Sequence, residues 1–479
     1  MDSAIPHHEN PLGSQPVPQL LRQFAVPSIV AMLVSAIYNI VDQFFIGQNV
    51  GELGNAATNI AFPLANACTA IALLLGIGAS AAFNLAMGRK EYDKAPYFVG
   101  NAATMLFLGG LLIGSVALIA LEPMLRLFGA SEAVLPYAKE YVGITAIGFP
   151  FLVLSVGGAH LIRADGRPQM SMICNIVGAV TNTVLDAWFV SKGEFGLDLG
   201  MAGAALATVI GQILSAVLVA VYIIRYKTVK LKFKHFLPRL RAVGTVSSLG
   251  MSSFFNQLAM MVVQIVLNNS LGTYGAMSIY GEDTPVACAG IVIKVAQLFF
   301  AICIGLAQGM QPIVSFNYGA KQYARVRQVF RLTCLCALII SIIAELCFLL
   351  APEAIISLFS KGDEGEGYIR FAVMYFRVYL MFTFINFIQP MTSTFFTAIG
   401  KAIKGTFLSL TRQILFLLPL IVLLPMLLAP ENKIYGVVAA GPIADFAALC
   451  CASVLMIREW KTIKKQEAAL SADRKEFSR

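Results

Sequence analysis

The chain has 479 residues, 58% of them hydrophobic and only 13% charged, with a mean hydropathy of +0.76 and a net charge of +9. That balance excludes an ordinary soluble domain, in which about 25% of residues are charged. The basic excess lies in short segments between apolar runs, where it faces anionic lipid headgroups, and it is a poor fit to a nucleic-acid footprint.

Residues 1–19 form a polar, proline-rich tail without the basic start of a cleaved signal peptide, so helix 1 is expected to serve as an uncleaved signal. His7-His8 in this tail reads as solvated chain before it reads as a metal site. Apolar runs long enough to span a bilayer are predicted at 20–48, 59–87, 97–120, 137–163, 169–191 and 200–225, an N-terminal lobe over 20–225. A basic, acid-free linker at 226–241 contains Lys227, Lys230, Lys232, Lys234, Arg239 and Arg241. A second set of runs at 242–270, 286–316, 326–350, 368–397, 403–429 and 435–460 makes a C-terminal lobe over 242–460, followed by a tail at 461–479. The predicted fold is an all-α polytopic membrane protein of twelve transmembrane helices in two six-helix lobes. Runs this long satisfy every backbone polar group as helices, whereas barrel strands are short and alternate.

Arg89, Lys90 and Lys94 follow helix 2, Arg163 and Arg167 flank the turn after helix 4, and Lys321, Arg325, Arg327 and Arg331 follow helix 8. Loops of the other parity carry acids, as in Glu282-Asp283 and Asp363-Glu364-Gly365-Glu366. The positive-inside rule therefore puts both termini and the linker in the cytoplasm of a multi-pass inner-membrane protein.

The two sets of helices repeat one another. Gly88-Arg-Lys-Glu-Tyr92 recurs 231 residues later as Gly319-Ala-Lys-Gln-Tyr323, and Leu127-Phe128 recurs at the same offset as Leu358-Phe359. Slightly larger offsets carry Gly166-Arg167 onto Gly400-Lys401 and Gly200 onto Gly436. Each lobe has an even helix count, so a pseudo-two-fold axis along the membrane normal is expected to relate them. Two like lobes that rock against each other are the basis of alternating access, which makes transport the leading reading.

Polar groups inside the spans carry what chemistry there is. Tyr38 and Asp42 on helix 1, and Asn182 and Asp186 on helix 5, are each spaced i, i+4 and share a helix face. Helices 1 and 5 run outward and helix 6 runs inward, which brings Asp42, Asp186 and Thr208 to one depth near the outer ends. Each aspartate alone could snorkel to the headgroups; together with the other three groups they make a cation site the better reading. Hard oxygen donors suit Na⁺, held by Asp42, Asp186, Asn182 and Thr208, and two adjacent carboxylates resist simultaneous ionisation, so the pair can also hold a proton. The residues leave that choice of ion open.

In the second half, Lys294, Arg377 and Asp445 fall well inside helices 8, 10 and 12, and Glu345 lies near the outer end of helix 9. Mutual ion pairing would offset their insertion cost and is favoured over substrate contact, with Lys294 and Asp445 kept as candidate cavity charges. An unpaired Lys294 in a cavity would disfavour cationic cargo. Arg412, toward the inner side of helix 11, is expected to snorkel. The nine cysteines lack zinc or disulfide spacing and read as buried thiols, and Asn268-Asn-Ser270 is a weak glycosylation sequon. The 33 Phe, 15 Tyr and 18 Met suit a cavity for lipophilic cations, although none earns an individual assignment.

Pro27 in Ala-Val-Pro-Ser-Ile-Val, the run Tyr38-Asn-Ile-Val-Asp42-Gln-Phe-Phe-Ile-Gly47, the turn Ile162-Arg-Ala-Asp-Gly166, the pair Asn182 and Asp186, and Gly203-Ala-Ala-Leu-Ala-Thr208 together resemble the multidrug and toxic compound extrusion (MATE) family, most closely its Mep-type bacterial branch. The similarity covers both halves. It implies two six-helix lobes around a central cavity, and antiport of lipophilic, cationic drugs or toxins against Na⁺ or H⁺ with no other cofactor. It also implies a cation site at Asp42, Asp186, Asn182, Tyr38 and Thr208, with Pro27 as a conformational bend in helix 1. Small lipophilic molecules and membrane lipids are the expected partners of a chain acting as a monomer, with no nucleic acid and no enzymatic activity.

Two departures stand out. Relatives often have amides just before the Arg-Ala-Asp-Gly turn, where this chain has Gly157-Gly-Ala-His160, and the repeat places Phe416 and Leu420 opposite Asn182 and Asp186. One coupling site, in the N-terminal lobe, is the consequence. The alternatives are a lipid-linked precursor flippase of the same superfamily and a membrane-embedded enzyme, for which no catalytic motif is found.

Overall fold

The computed structural model describes residues 10–191, 196–281, 283–357 and 366–477. His7-His8, Glu282, Leu358-Phe359 and Asp363-Glu364 lie outside these residues. Helices α1 Val17–Asn49, α2 Glu52–Gly88, α3 Ala95–Ile119, α4 Leu135–Ala164, α5 Pro168–Phe189 and α6 Gly200–Ile224 form the first lobe. The second comprises α7 Leu240–Ala276, α8 Asp283–Gly319, α9 Tyr323–Leu350, a bent α10 (Gly367–Tyr379 and Thr383–Ala398, 41° apart), α11 Ala402–Met426 and α12 Lys433–Phe477. All twelve are long and apolar enough to cross a membrane when the bent pair counts as one span, and no strand occurs among the described residues. The protein is an all-α, two-lobed bundle, as its apolar runs predict.

The lobes are built alike. In the first, α1 packs on α5, α5 on α6, α2 on α4 and α2 on α3; in the second, α7 packs on α11, α11 on α12, α8 on α10 and α8 on α9. Backbone conformation repeats as well. Lys90 and Lys321 both have positive φ, 63° and 59°, and Gly166 and Gly400 have 80° and 81°. Between lobes, α1 packs on α8 as α7 packs on α2, while α2 and α8 meet each other. That reciprocal pattern is what a two-fold axis imposes on equivalent surfaces.

Glycine makes the seam close. A Cβ on Gly250 of α7 would stand 1.7 Å from the Leu74 carbonyl oxygen of α2, and one on Gly78 would stand 2.0 Å from that of Val246. The symmetric contact has Gly305 and Gly309 of α8, whose Cβ atoms would each lie 2.6 Å from a Cα of α1, that of Ile29 and that of Ala25 respectively. On the axis, Gly88 lies against Phe316 and Gly319 against Leu85, the repeat-equivalent glycines themselves meeting. Each of these contacts sits in the half of its helix nearer the linker. In keeping, α2 is buried without interruption from Leu75 to Gly88, while buried and accessible positions alternate nearer Glu52. The inter-lobe space therefore opens away from the linker.

Three anchors hold the chain at the linker end. The Asp165 carboxylate accepts from Tyr222 Oη (2.7 Å) and from the backbone N–H groups of Lys227 and Thr228 (2.8 and 2.7 Å). Asn101 of α3 donates to the carbonyls of His235 and Leu237 and accepts from Arg239 N–H, while Arg239 stacks 3.7 Å over Tyr97. Asn317 and Arg325 donate to the Leu12 carbonyl, and Arg325 also to that of Gln15, which ties the segment before α1 to the opposite lobe. The region after residue 460 continues α12 as helix to Phe477. Glu459, fully buried, takes Lys401 and Lys404, and Glu467 pairs with Arg327 at 2.5 Å.

Two outcomes are expected. Gly250→Leu should drive α7 off the α2 backbone and cost about 1–3 kcal/mol, read as a lowered unfolding midpoint in detergent. Within the linker, His235 Nδ1 accepts from Lys232 N–H at 3.0 Å, and burial with Lys234, Lys232 and Arg239 nearby lowers its pKa below the usual 6.5. Folding favours the neutral ring, so this anchoring is complete above pH 6.5 and is lost as pH falls through the lowered value. Amide exchange of the linker, corrected for intrinsic rates, should rise on acidification and lose that extra pH dependence in His235→Gln.

Candidate cation site and inter-lobe cleft

The site begins with how closely α5 and α6 approach. A Cβ on Gly211 would lie 2.7 Å from the Gly178 carbonyl oxygen and 3.2 Å from the Asn182 Cβ, so only glycine lets the helices meet there. That contact sets Asn182 Nδ2 3.2 Å from Thr208 Oγ1. One turn further along α5, Asp186 is fully buried at 0% exposure. The Asp42 carboxyl of α1 stands beside it, close enough for the two to share a proton, with Tyr38 one turn away and facing both. All five residues singled out from the sequence thus converge in the first lobe, near the ends remote from the linker.

A sixth residue joins them. Tyr141 of α4 stands with its hydroxyl beside Thr208 and near Tyr38, Asp42 and Asp186. Sequence reasoning passed it over because it is one of fifteen tyrosines, yet α4 runs from the far end and Tyr141 is six residues in, about 9 Å deep. The Gly157 to His160 stretch lies about 24–28 Å further down α4 and belongs to packing. Gly157 abuts Gly76 of α2, Gly158 abuts Val219 of α6, and His160 is 3% exposed. Tyr141 is what α4 contributes to the site.

The donor balance is lopsided. Among the described residues, Asp42 Oδ1, both Asp186 carboxyl oxygens and Asn182 Oδ1 are buried without a hydrogen-bond partner, and neither aspartate has an ion pair. Buried carboxylates left this way are costly. Four unpartnered oxygens in one place fit a proton or a hard cation such as Na⁺, which would supply the missing positive charge. Pro27 lies in the same helix as Asp42, buried between Ala25 and Ile29 where α1 meets the α8 glycines. α1 runs without a break through it, with the Gln23 carbonyl deprived of its helical partner.

In the second lobe the buried aspartate is paired, although Glu345 Oε2 is buried without a hydrogen-bond partner among the described residues. Asp445 accepts from Arg412 Nε at 2.5 Å and from Asn386 Nδ2 at 3.2 Å, and it is 4% exposed. Arg412 does not snorkel, contrary to expectation: α11 widens into a π-helical turn over Thr411–Leu417 that turns the guanidinium into the lobe. Glu345 is buried beside Thr383 at the bend of α10. Of the ion pairs expected among these charges, Lys294 and Arg377 make none among the described residues. Arg377 is exposed and Lys294 half-buried. Phe416 and Leu420 are partly buried and pack against the apolar core, so the repeat of the aspartate site carries hydrocarbon.

The MatE family model matches this chain twice, over residues 27–188 and 252–423, once in each lobe. The chain belongs to the MatE family. Among curated relatives, the multidrug export protein MepA of Staphylococcus saprophyticus is 23% identical over 452 residues, covering 93% of this chain and 95% of its own. Among solved structures, the MATE multidrug transporter DinF-BH in complex with rhodamine 6G is 31% identical, covers 93% of this chain and 96% of its own, and superposes with a TM-score of 0.84. A MATE crystal structure in the straight conformation, 20% identical, has the same fold at a TM-score of 0.86, covering 95% of this chain and 98% of its own. This MatE chain is accordingly a multi-pass membrane transporter of a multidrug export family. Its two polar clusters should respond differently to loss of a carboxylate. Asp445→Asn strands Arg412 and should lower stability by about 3–5 kcal/mol, whereas Asp42→Asn relieves a like-charge contact and should leave the detergent unfolding midpoint unchanged or raised.

Proposed function

We propose that this transporter is a secondary active antiporter, exporting lipophilic small molecules from the cytoplasm in exchange for inward Na⁺ or H⁺. The carrying observation is the adjacent pair of Asp42, whose Oδ1 is buried, and fully buried Asp186, with unpartnered oxygens and no ion pair among the described residues. Such a pair is completed by a proton or Na⁺, with Asn182, Thr208, Tyr38 and Tyr141 supplying neutral oxygens around it. The basic linker end is taken as cytoplasmic, with both termini on that side of the inner membrane and residues 20–225 and 242–460 as the two working lobes.

In this scheme the cleft opens to the exterior, and the glycine seam closes the cytoplasmic side. Ion loss inward requires that seam to part. The same parting admits cargo from the cytoplasm, so ion and cargo are coupled through one lobe equilibrium and disfavour each other's binding. α1 links the two events, since it carries Asp42 toward α5 and packs against α8 around Pro27, where a missing backbone bond lowers the cost of bending. The chain works as a monomer, without covalent chemistry and with no cofactor beyond the coupling ion. Lipophilic cations are the cargo class implied by the family resemblance, and rhodamine 6G, present in the DinF-BH complex, is the natural first probe.

The test is dye efflux from proteoliposomes with a Na⁺ gradient and a pH gradient imposed separately. Asp42→Asn and Asp186→Asn should each lower gradient-driven efflux by about a hundredfold, and Asn182→Ala, Thr208→Ala and Tyr141→Phe by about tenfold or less. Full transport by both aspartate variants would refute the assignment.

A further inference from the structure

α8 packs on α1 and α2 of the other lobe, and the face that makes this contact continues along the helix. Nearer the linker it is closed: Gly305 and Gly309 abut Ile29 and Ala25 of α1, and Gln308 Nε2 reaches Met32 Sδ at 3.6 Å. Eleven residues are three helical turns, so Lys294 lies within about 20° of Gly305 on the same face and about 16 Å farther from the linker. There the face is open. Gln297 and Ala287 are exposed, and a side chain added at Gly290 would meet nothing within 4 Å. The opposing face of α1 continues from Met32 to Asn39 and Gln43, which are amides, while Asp42 is turned toward α5. On the other seam Asn66 of α2 accepts from Gln257 of α7 at 2.9 Å. The cleft walls thus carry amides and a lysine that has no ion pair among the described residues.

An ammonium at this depth is retained only at a cost, which water or a partner must offset. An ion that the protein itself does not pair is available to cargo, and it repels any cation entering beside it. We propose that Lys294 determines specificity, so that the cleft takes up amphiphiles through an anionic group, a carboxylate or phosphate, paired with the Lys294 ammonium. The inference rests on the export reading for the fate of the bound molecule, and it replaces the lipophilic cation as preferred cargo.

Binding to the purified full chain tests it without any ion gradient. Fluorescence anisotropy would compare fluorescein, an anionic xanthene, with rhodamine 6G, a cationic one of similar size. Fluorescein should bind the parent at least about tenfold more tightly; Lys294→Gln should remove that advantage, Lys294→Glu should reverse the order, and Lys294→Arg should keep it. An equal or stronger affinity for rhodamine 6G in the parent, no binding of fluorescein, or unchanged affinities in Lys294→Gln with a parental unfolding midpoint would each overturn the proposal. Repeating the titration with added phosphatidylglycerol separates two sources of the anionic group. Competition that Lys294→Gln abolishes identifies a lipid headgroup, and its absence identifies soluble cargo. Dye export that ignores both ion gradients, with Lys294-dependent binding intact, would remove the antiport reading and leave this one standing.

Discussion

Helices immersed in hydrocarbon gain little by hiding apolar side chains from one another, so whatever holds two lobes together must come from close packing and polar contacts. Here that packing is backbone against backbone. Gly78, Gly250, Gly305, Gly309, Gly88 and Gly319 strip the seam of side chains, and the helices meet where any Cβ would collide. Because equivalent surfaces pair across a pseudo-two-fold axis, one geometry is used twice and then meets itself on the axis. The remaining features depend on this seam, which closes the linker end and leaves the far end open.

On that near-symmetric frame the chemistry is asymmetric. In the first lobe the Asp42 and Asp186 carboxyls have no ion pair among the described residues, whereas in the second Asp445 is buried against Arg412 and Asn386. A complete ion pair has no further need of a ligand. An incomplete one does, so on the proposed reading the same architecture would serve as an ion-responsive element in one lobe and a fixed brace in the other. The π-helical turn in α11 is the local device behind the brace, since it changes the direction in which Arg412 projects.

α1 belongs to both halves of this arrangement. Its part remote from the linker faces α5 and carries Tyr38 and Asp42, its first half packs on α8 around Pro27, and the segment before it is hooked by Asn317 and Arg325 of the opposite lobe. A change at the aspartates and a change at the seam would therefore act on one continuous helix. That continuity would give the proposed coupling a direct physical route.

Much of this was legible in the chain. Apolar runs set the helix count, because a backbone in lipid has so few ways to satisfy its polar groups. Spacings of i, i+4 and the alternating direction of successive spans were enough to group Asp42, Asp186, Asn182, Tyr38 and Thr208. Other features needed the third dimension. Tyr141 is an ordinary tyrosine until α4 packs beside α6. Arg412 looks like a snorkelling arginine until a π turn, set by packing against α12, brings it to Asp445. Lys294 likewise gains its meaning from what lies opposite, since periodicity assigns a residue to a face and only the packing of the lobes decides what that face meets.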